Sequence, residues 1–212
     1  MKKIFILFLL LSTLSSQAQN PSILSAEDYF NRAYEKQNKE DYIGALADYN
    51  KTLEIDPNND DAYFNRGRSK YALEFYYGAL ADYSKVIVLN PNNAVAYNNR
   101  GIVKDDLEYY NDALSDYDKA TEINPNYATA YFNKGITKRK LENYNGAIAS
   151  FNMAIEINPS YAKAYNNRGN SKNYLEDYIG AIADYNKAIE IEPNFANAYY
   201  NRANTKSDLN KY

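Results

Sequence analysis

A fixed period of 34 residues runs through most of this chain and limits the folds open to it. A tyrosine recurs at this spacing from Tyr29 to Tyr199, and five prolines keep the same interval: Pro57, Pro91, Pro125, Pro159 and Pro193. Self-similarity at a period of this length is typical of solenoids, in which each repeat packs against its neighbours. A solenoid presents a long curved surface, and such surfaces bind other molecules far more often than they catalyse reactions.

Each period carries the pattern of two helices. In the third repeat, apolar residues from Tyr110 to Ile123 recur at i, i+3, i+4 and i+7, the spacing of a helix with one buried face. Pro125 ends that helix because proline lacks a backbone N–H and disfavours helix in the preceding residue. The Asn or Ser after each proline is expected to cap the next helix. The sequence predicts an all-α fold, an α-solenoid whose complete repeats are 26–59, 60–93, 94–127, 128–161 and 162–195, with a partial sixth at 196–212.

Small residues mark the place where the two helices of a repeat meet. Counting Ala26 as position one, position eight is Gly or Ala in every repeat, and position twenty is Ala in all complete repeats. A glycine inside a helix costs up to about 1 kcal/mol relative to alanine. Its recurrence therefore indicates a contact too close for a larger side chain. Aromatic residues at positions four, seventeen and twenty-four fill the remaining core and account for most of the 24 tyrosines.

These features together resemble the tetratricopeptide repeat. The resemblance rests on an aromatic residue at position four, Gly or Ala at eight, Tyr at seventeen, Ala at twenty, Tyr or Phe at twenty-four and Pro at thirty-two, and it covers residues 26–212. It implies a right-handed superhelix of helix pairs whose first helices line a concave groove. Co-chaperone members bind a C-terminal carboxylate through a clamp that needs Lys at position five and Arg at position six. No repeat of this chain has either, so that clamp is absent.

Position seven departs from the family pattern and varies together with position twenty-three. Position seven is Arg or Lys rather than Leu, and position twenty-three is Asp in four of the five complete repeats. The repeat with Lys134 at position seven is the one with Ser150 at twenty-three. Because Arg binds a carboxylate bidentately and Lys does not, we predict structural Arg–Asp bridges in four repeats. The Lys at position eleven of every repeat is the weaker candidate partner, and a row of arginines gripping an acidic ligand is the functional alternative.

The resemblance implies that positions two, five, six, nine, twelve and thirteen of each first helix face the groove. Position six is always Asn, whose carboxamide offers a donor and an acceptor that match a peptide bond; the alternative is that it caps or bridges locally. The variable positions form an apolar, aromatic wall over repeats two to four and become Asn-rich in repeats five and six. The predicted groove residues are Asn65, Asn99, Asn133, Asn167, Phe64, Arg68, Tyr71, Ile102, Phe132, Ile136 and Arg139.

The groove pattern suits a polypeptide guest. An amphipathic helix or an extended segment with apolar anchors over repeats two to four would match the wall. Two charged spots flank the middle of the groove, Asp105 with Asp106 and Arg139 with Lys140. A merely solvated face is the alternative interpretation of the same positions. We therefore expect a protein or peptide partner.

The N-terminus has the features of a secretory signal peptide. Lys2 and Lys3 precede an apolar run, and Ser16 and Ala18 suit the −3 and −1 sites of a cut that leaves 19–25 as a short lead-in. The apolar run is about half of the roughly 20 residues needed to span a bilayer. We expect residues 1–18 to be removed, no membrane span in the mature chain, and an exported protein in the periplasm or secreted.

Composition argues against several other functions. The chain has no His and no Cys, so the usual general base, thiol nucleophile and metal ligands other than carboxylates are missing. We expect no enzyme and no cofactor. Without Lys2 and Lys3 the chain has 22 basic and 27 acidic residues and no basic stripe, which argues against nucleic-acid binding.

The C-terminal segment allows two interpretations. Residues 196–212 copy an internal first helix, whereas a solenoid end normally carries a polar cap. Either the sequence is a piece of a longer array, such as the N-terminal module of a longer envelope protein, or this helix pairs with another copy. The main hypothesis is a non-catalytic scaffold that binds a polypeptide in its groove. The alternative is a self-associating structural element, a homo-oligomer held through its last helix.

Overall fold

The computed structural model describes residues 24–209, and within that range the chain forms eleven α-helices joined by short turns, without a β-strand. The predicted signal peptide, most of the lead-in and residues 210–212 lie outside the described residues. The helices are α1 (Ala26–Asn38), α2 (Tyr42–Ile55), α3 (Asp60–Ala72), α4 (Tyr76–Leu89), α5 (Ala94–Asp106), α6 (Tyr110–Ile123), α7 (Ala128–Lys140), α8 (Tyr144–Ile157), α9 (Ala162–Tyr174), α10 (Tyr178–Ile191) and α11 (Ala196–Leu209).

The helices form hairpins that stack in chain order. Each odd-numbered helix from α1 to α9 packs mainly against the helix that follows it, and the second helix of each pair then packs against the first helix of the next. Helix α11 continues this order as the first helix of a sixth unit. The all-α solenoid predicted from the period is confirmed, with one hairpin in each 34-residue unit.

Ser25 caps α1 through its hydroxyl, which accepts the N–H of Asp28, whereas the helices after the recurring prolines are capped one residue later than predicted. The Asn59 carboxamide oxygen, for example, accepts the N–H of Ala62. The prediction that the residue after each proline forms the cap is wrong. Asn126, for example, donates its own N–H to Asn124 Oδ1 at 3.0 Å, a turn that places Tyr127 at the cap position of α7.

The core of each hairpin is a small residue facing a buried ring. A Cβ added at Gly101 would lie 2.7 Å from Cε1 of Tyr117, which is fully buried. A contact this short leaves no space for a methyl group, which confirms the close approach predicted from the recurring glycines. The ring at position twenty-four is equally buried in the other complete repeats: Tyr49, Tyr83, Phe151 and Tyr185.

The Arg–Asp bridges predicted from covariation are present in four repeats. In the third, Arg100 Nε and Nη2 donate to the two carboxylate oxygens of Asp116 at 2.9 and 2.7 Å. The lysine at position eleven, predicted as the weaker partner, binds the same carboxylate: Lys104 Nζ lies 2.8 Å from Asp116 Oδ2. Each of these buried carboxylates is therefore held by two cations. The other three such groups are Arg32, Lys36 and Asp48; Arg66, Lys70 and Asp82; and Arg168, Lys172 and Asp184.

The fourth repeat lacks the aspartate at position twenty-three, and its cation at position seven pairs with a different carboxylate. Ser150 is buried where the other repeats have Asp, and Lys134 instead forms an ion pair with Asp118 on α6 of the preceding repeat. Asn or Ser occupies the position of Asp118 in the other complete repeats. Burial, followed by the nearby Lys134 charge, lowers the pKa of Lys138 below its usual value. The carboxylate that pairs with Lys134 of repeat four therefore belongs to the neighbouring repeat three, across the seam between the two repeats.

The turn inside each hairpin has one residue in the left-handed region. It is a glutamate every time, with φ between 56° and 62°: Glu40, Glu74, Glu108, Glu142 and Glu176. For a residue with a Cβ this conformation costs roughly 1 kcal/mol or more. The geometry ends the first helix, because the N–H after the glutamate returns to a carbonyl of the last turn, as from Tyr109 to Lys104 at 2.8 Å.

Candidate functional site

A cavity lies among the first helices of repeats one to three. This N-terminal cavity has a volume of about 340 Å³, and its lining comes from α1, the start of α2, α3, α4 and α5. It is lined by Gln37, Asn38, Tyr42, Arg68, Tyr71, Ala72, Tyr83, Asn99 and Ile102. Four of the predicted groove residues therefore meet here.

A second cavity lies at the other end of the solenoid. This C-terminal cavity has a volume of about 210 Å³ and is lined from α7, α9, α10 and α11. Its lining residues are Arg139, Asn170, Asn173, Tyr174, Tyr185, Asn201, Asn204 and Thr205. It contains one of the predicted groove residues, Arg139.

The two cavities occupy the same frame of the repeat, three repeats apart. Seven lining positions correspond, and the side chains differ at five of them. The corresponding pairs are Gln37 and Arg139, Arg68 and Asn170, Tyr71 and Asn173, Ala72 and Tyr174, Tyr83 and Tyr185, Asn99 and Asn201, and Ile102 and Asn204. One backbone frame is therefore lined by aromatic and aliphatic groups at one end and by carboxamides at the other.

The N-terminal cavity combines an apolar wall with hydrogen-bonding groups. Tyr71 and Ile102 form the wall, and the exposed guanidinium of Arg68 lies 3.4 Å from Asn65 Oδ1. Burial raises the pKa of Tyr83 well above its usual value, so this hydroxyl stays neutral at physiological pH. Gln37 is held by hydrogen bonds to Tyr49 and to the backbone of Asn65. The cavity can accept an apolar group beside a polar or anionic one.

Hydrogen bonds and an ion pair across repeats link the first helices between the two cavities. Tyr71 Oη donates to Asp106 Oδ2 at 2.6 Å. Asp105 accepts from Thr137 Oγ1 at 2.6 Å and forms an ion pair with Lys140. Three of the four charged residues predicted to flank the middle of the groove are thus engaged within the protein. Arg139 is the fourth, and it lines the C-terminal cavity.

The four asparagines predicted at position six of the groove all take part in contacts within the protein. Asn65 Nδ2 donates to the carbonyl oxygen of Asp61 at 2.9 Å, and Asn167 Nδ2 donates to that of Lys163 at 2.8 Å. Both bonds return to the helix of the asparagine itself. Asn65 is also buried, which leaves little of its carboxamide for a guest.

Asn98 joins the two middle asparagines of the row. Asn133 Nδ2 donates to Asn98 Oδ1 at 2.9 Å, and Asn99 Oδ1 accepts from Asn98 Nδ2 at 3.2 Å. Of the four position-six residues predicted for the site, Asn99 lines a cavity. The local role that we gave as the alternative for these asparagines therefore matches the contacts at all four.

The predicted groove aromatics support the core. The Phe64 ring lies 5.8 Å from that of Tyr83, and Phe132 lies between the rings of Phe151 at 5.8 Å and Tyr161 at 4.9 Å. Ile136 is half-buried and lines neither cavity. These three residues remain predictions as contacts for a guest.

Several cavity residues were not in the predicted set. Gln37, Asn170 and Asn173 lie at positions nine and twelve, the same positions that supplied Arg68 and Tyr71, so the repeat frame could have identified them. The repeat pattern predicts Tyr83 and Tyr185 as core aromatics at position twenty-four, and the sequence does not show that they also reach a cavity. Burial raises the pKa of Tyr185 to about 12.

Residues 24–209 contain neither a metal-binding cluster nor a membrane-spanning helix. No group of three or more His, Cys, Asp or Glu side chains in this range is arranged to hold a metal ion. None of the helices in the same range is long and apolar enough to cross a membrane.

Comparison with protein families identifies the repeat. Sequence profiles described as "Tetratricopeptide repeat" match residues 94–127, 128–161, 162–195 and 184–212, and one described as "TPR repeat" matches 38–74. Together these matches cover most of the chain. No curated protein sequence matches it significantly.

Solved structures give the same result. MamA protein is 26% identical with a TM-score of 0.72, covering 79% of this chain and 92% of its own. YrrB, described as a TPR protein with an unusual peptide-binding site, is 26% identical with a TM-score of 0.68, covering 89% and 95%. The first TPR of Spaghetti (RPAP3), bound to the HSP90 peptide SRMEEVD, is 26% identical with a TM-score of 0.54, covering 55% and 92%.

A solenoid of helical hairpins with cavities between successive first helices has the architecture of a protein-interaction scaffold. The family matches and the shared fold then define it more closely. The chain belongs to the tetratricopeptide repeat family.

Proposed function

We propose that the protein is a non-catalytic scaffold that binds a polypeptide segment in its concave groove, with an apolar side chain of the guest in the N-terminal cavity. The N-terminal cavity is the observation that carries this proposal. Its volume of about 340 Å³ lies at the lower end of ligand pockets, and its apolar wall with a few polar groups is typical of them. Arg68 and Asn99 would hold the guest's polar groups while Tyr71 and Ile102 cover its apolar side chain.

Two of the similar structures support a peptide guest by analogy. YrrB is described by its peptide-binding site, and the RPAP3 repeat was solved with a bound HSP90 peptide. Since the co-chaperone clamp residues are missing here, a different peptide is expected. The absence of His and Cys from the sequence supports a non-catalytic role.

A peptide library displayed on phage and selected on residues 19–212 tests the proposal. Selected peptides are synthesised with a fluorophore, and their dissociation constants are measured by anisotropy. Tyr71→Asn and Ile102→Asn place in the N-terminal cavity the residues found at the corresponding positions of the C-terminal cavity, so both variants should fold. Each is expected to weaken binding about tenfold or more, because an apolar contact is replaced by a polar group.

Ile179→Asn is the matched control. This isoleucine is 71% exposed on α10 and lines neither cavity, so its substitution should leave the dissociation constant unchanged. Equal affinity of all three variants and the parent protein would move the binding site away from the N-terminal cavity. Failure of the library to yield a specific peptide would contradict a peptide-binding function.

Self-association is the second candidate function, and the surface of α11 favours it. Tyr199 is 42% exposed on this helix, and Arg202 donates to Asn186 Oδ1 at 2.7 Å on one side. We propose that this face could dock on another copy. Gel filtration with light scattering over a hundredfold range of concentration tests this: a mass that rises with concentration and returns to that of a monomer in Tyr199→Asp would support it. A constant monomer mass would reject self-association.

The third candidate is a module of a longer protein. Reading the open frame beyond Tyr212 tests it.

We also propose that the protein is exported, on the basis of the N-terminal sequence alone. Protein isolated from the cell envelope or the medium of the source organism would then begin at Gln19. An intact Met1 in the cytoplasmic fraction would contradict this proposal.

A further inference from the structure

We infer that the C-terminal cavity is a second subsite that binds a carboxylate group of the guest polypeptide. This inference rests on the proposed function, since it assigns the other end of the same groove. It adds a chemical requirement: the guest carries an acidic group as well as the apolar one. Three features of the cavity favour a carboxylate: its guanidinium, its carboxamides and its charge.

The guanidinium of Arg139 is incompletely satisfied. Its Nε is buried and has no hydrogen-bond partner among residues 24–209. A buried N–H without an acceptor is unfavourable, more so when the group is charged. Arg139 lines the cavity, so an acceptor bound there could take up the guanidinium in the bidentate manner that Arg and carboxylates favour.

Two carboxamides of the lining are oriented by protein hydroxyls. Asn170 Oδ1 accepts from Tyr185 Oη at 2.9 Å, and Asn173 Oδ1 accepts from Thr205 Oγ1 at 2.8 Å. With both oxygens engaged, the group that each carboxamide offers is its NH2, a pure donor. Arg139 adds donors and has no acceptor atom. The cavity therefore presents mainly hydrogen-bond donors to its contents.

The charge of the lining selects a carboxylate. None of its eight residues is acidic, and Arg139 is its only cation. One positive charge balances one carboxylate, whereas a phosphate dianion would need more. The neighbouring Lys140 is paired with Asp105, and Asp208, further along α11, has an interaction of its own. Arg139 is thus the available cation of this cavity.

The residue at the corresponding position of the N-terminal cavity has hydrogen-bond partners within the protein. Gln37 occupies the position of Arg139, and it is buried and engaged at both ends. Its Oε1 accepts from Tyr49 Oη at 3.0 Å, and its Nε2 donates to the Asn65 carbonyl oxygen at 3.1 Å. Phe151 occupies the position of Tyr49 beside Arg139, so a glutamine at 139 would lack that hydroxyl partner. Arg139→Gln tests the guanidinium because it removes the charge and keeps a polar side chain at a position where the first repeat has glutamine.

Side-chain NMR on residues 19–212 labelled with ¹⁵N tests the inference. The first probe is the blocked peptide acetyl-Gly-Glu-Gly-amide, and acetyl-Gly-Gln-Gly-amide is its uncharged counterpart. A third peptide, acetyl-Gly-Gln-Gly with a free C-terminus, separates a chain-end carboxylate from a side-chain one. Inorganic phosphate is the fourth probe. The signals followed are Arg139 Nε–H and the NH2 groups of Asn170 and Asn173.

We expect saturable shifts of these signals with a carboxylate-bearing peptide and none with the uncharged peptide. Arg139→Gln should weaken binding of that peptide by roughly tenfold or more, as expected for a lost hydrogen bond to a charged group. Lys187→Gln, which removes an exposed α10 cation that pairs with Glu190 and lines neither cavity, should leave it unchanged. A response to the glutamate peptide or to the free C-terminus supports the inference and identifies the source of the carboxylate.

Three results would overturn the inference: no saturable shift, equal affinity in Arg139→Gln, or a response to phosphate alone. Equal weakening by Lys187→Gln and Arg139→Gln would also overturn it, because general charge attraction would then explain the binding. These probes carry no apolar side chain. Their failure therefore leaves the peptide site of the N-terminal cavity standing, and the effect of Ile102→Asn on selected peptides tests that site separately.

Discussion

At the scale of single residues, the buried aspartates at position twenty-three determine much of the polar chemistry of this chain. Each one is held by an arginine and a lysine from the facing helix, as Asp116 is by Arg100 and Lys104. A buried carboxylate is unfavourable unless its charge is balanced and its oxygens accept hydrogen bonds. Two cations provide both, so the loss of one should still leave the carboxylate paired.

This arrangement predicts a strong coupling between the two cations. Arg100→Ala and Lys104→Ala should each lower the free energy of unfolding by about 1 kcal/mol, because one cation remains in each. The double variant leaves Asp116 buried and unpaired, and its loss should reach about 3 kcal/mol or more. Urea unfolding of the four proteins measures the coupling. Lys119→Ala, which breaks the exposed pair with Glu122, is the control with little effect, and a double variant equal to the sum of the single ones would contradict the prediction.

Covariation in the sequence predicted the arginine as the main partner of each aspartate but gave no signal for the lysine. Position seven changes from Arg to Lys in the repeat where Asp116 has Ser150 as its counterpart, and that change identified the arginine. Lys104 and its equivalents are present in every repeat, so no variation could connect them to the aspartate. Residues that never vary within one chain give no signal of this kind.

At the scale of helices and turns, the sequence predicted the hairpins well and the turn conformation poorly. Apolar spacing and the prolines gave helices such as α6, because these signals are local. The left-handed glutamate between the helices was not foreseen. Nothing about Glu108 itself indicates a positive φ, which glycine adopts far more readily. The surrounding hydrogen bonds impose that conformation.

Replacing this turn residue should therefore stabilise the protein. Glu108→Gly removes the conflict between Cβ and the left-handed backbone, and we expect the free energy of unfolding to rise by about 1 kcal/mol. Glu108→Ala keeps the Cβ and is the matched control, so it should give no comparable gain. Thermal and urea unfolding would measure both. Equal gains for glycine and alanine would attribute the effect to the lost charge.

The contact between the two helices of a hairpin gives a prediction in the opposite direction. A Cβ at position 101 would lie 2.7 Å from Tyr117, whereas one at Gly67 would lie 3.0 Å from Tyr83. Gly101→Ala should lower the free energy of unfolding by about 1–3 kcal/mol, the usual effect of overpacking a core.

Gly67→Ala is the comparison for this contact, since its ring needs to move less. There the gain in helix propensity, up to about 1 kcal/mol, should offset most of the clash and leave stability nearly unchanged. Urea unfolding of both variants measures the difference. A Gly101→Ala variant as stable as Gly67→Ala would contradict the importance of this close approach.

At the scale of the whole molecule, contacts between repeats determine what the groove can do. The period predicted a groove along all the first helices, and the structure adds cross-repeat bonds such as that of Tyr71 with Asp106 between its two cavities. These bonds join residues that lie a whole repeat apart, and no pattern within one repeat indicates them. The frame of the site could thus be predicted from the sequence, whereas these bonds could not.

The seam between repeats three and four gives the prediction at this scale. Ser150 is 4% exposed at the position where four other repeats bury an aspartate, and Lys134 and Lys138 occupy the positions of the two cations of that group. Ser150→Asp should restore the missing carboxylate between Lys134 and Lys138 and raise the free energy of unfolding by about 1 kcal/mol near neutral pH. The gain should disappear in acid, once the new carboxyl is protonated.

Ser150→Asn is the control for this seam, because it has nearly the same shape as aspartate without the charge. Unfolding by urea at pH 7 and at low pH measures both variants. If the asparagine variant gains as much stability as the aspartate variant, the missing charge is not what limits this repeat.

The same seam also constrains how this chain could be shortened or rebuilt. Excising residues 60–93 would leave Lys134 beside Asp118, whereas excising 94–127 would bring Lys134 against Ser84, which has no charge to offer. Repeats three and four would therefore lose this ion pair if they were shuffled or grafted separately. A single carboxylate thus makes two neighbouring repeats depend on each other in an array whose units otherwise share one pattern.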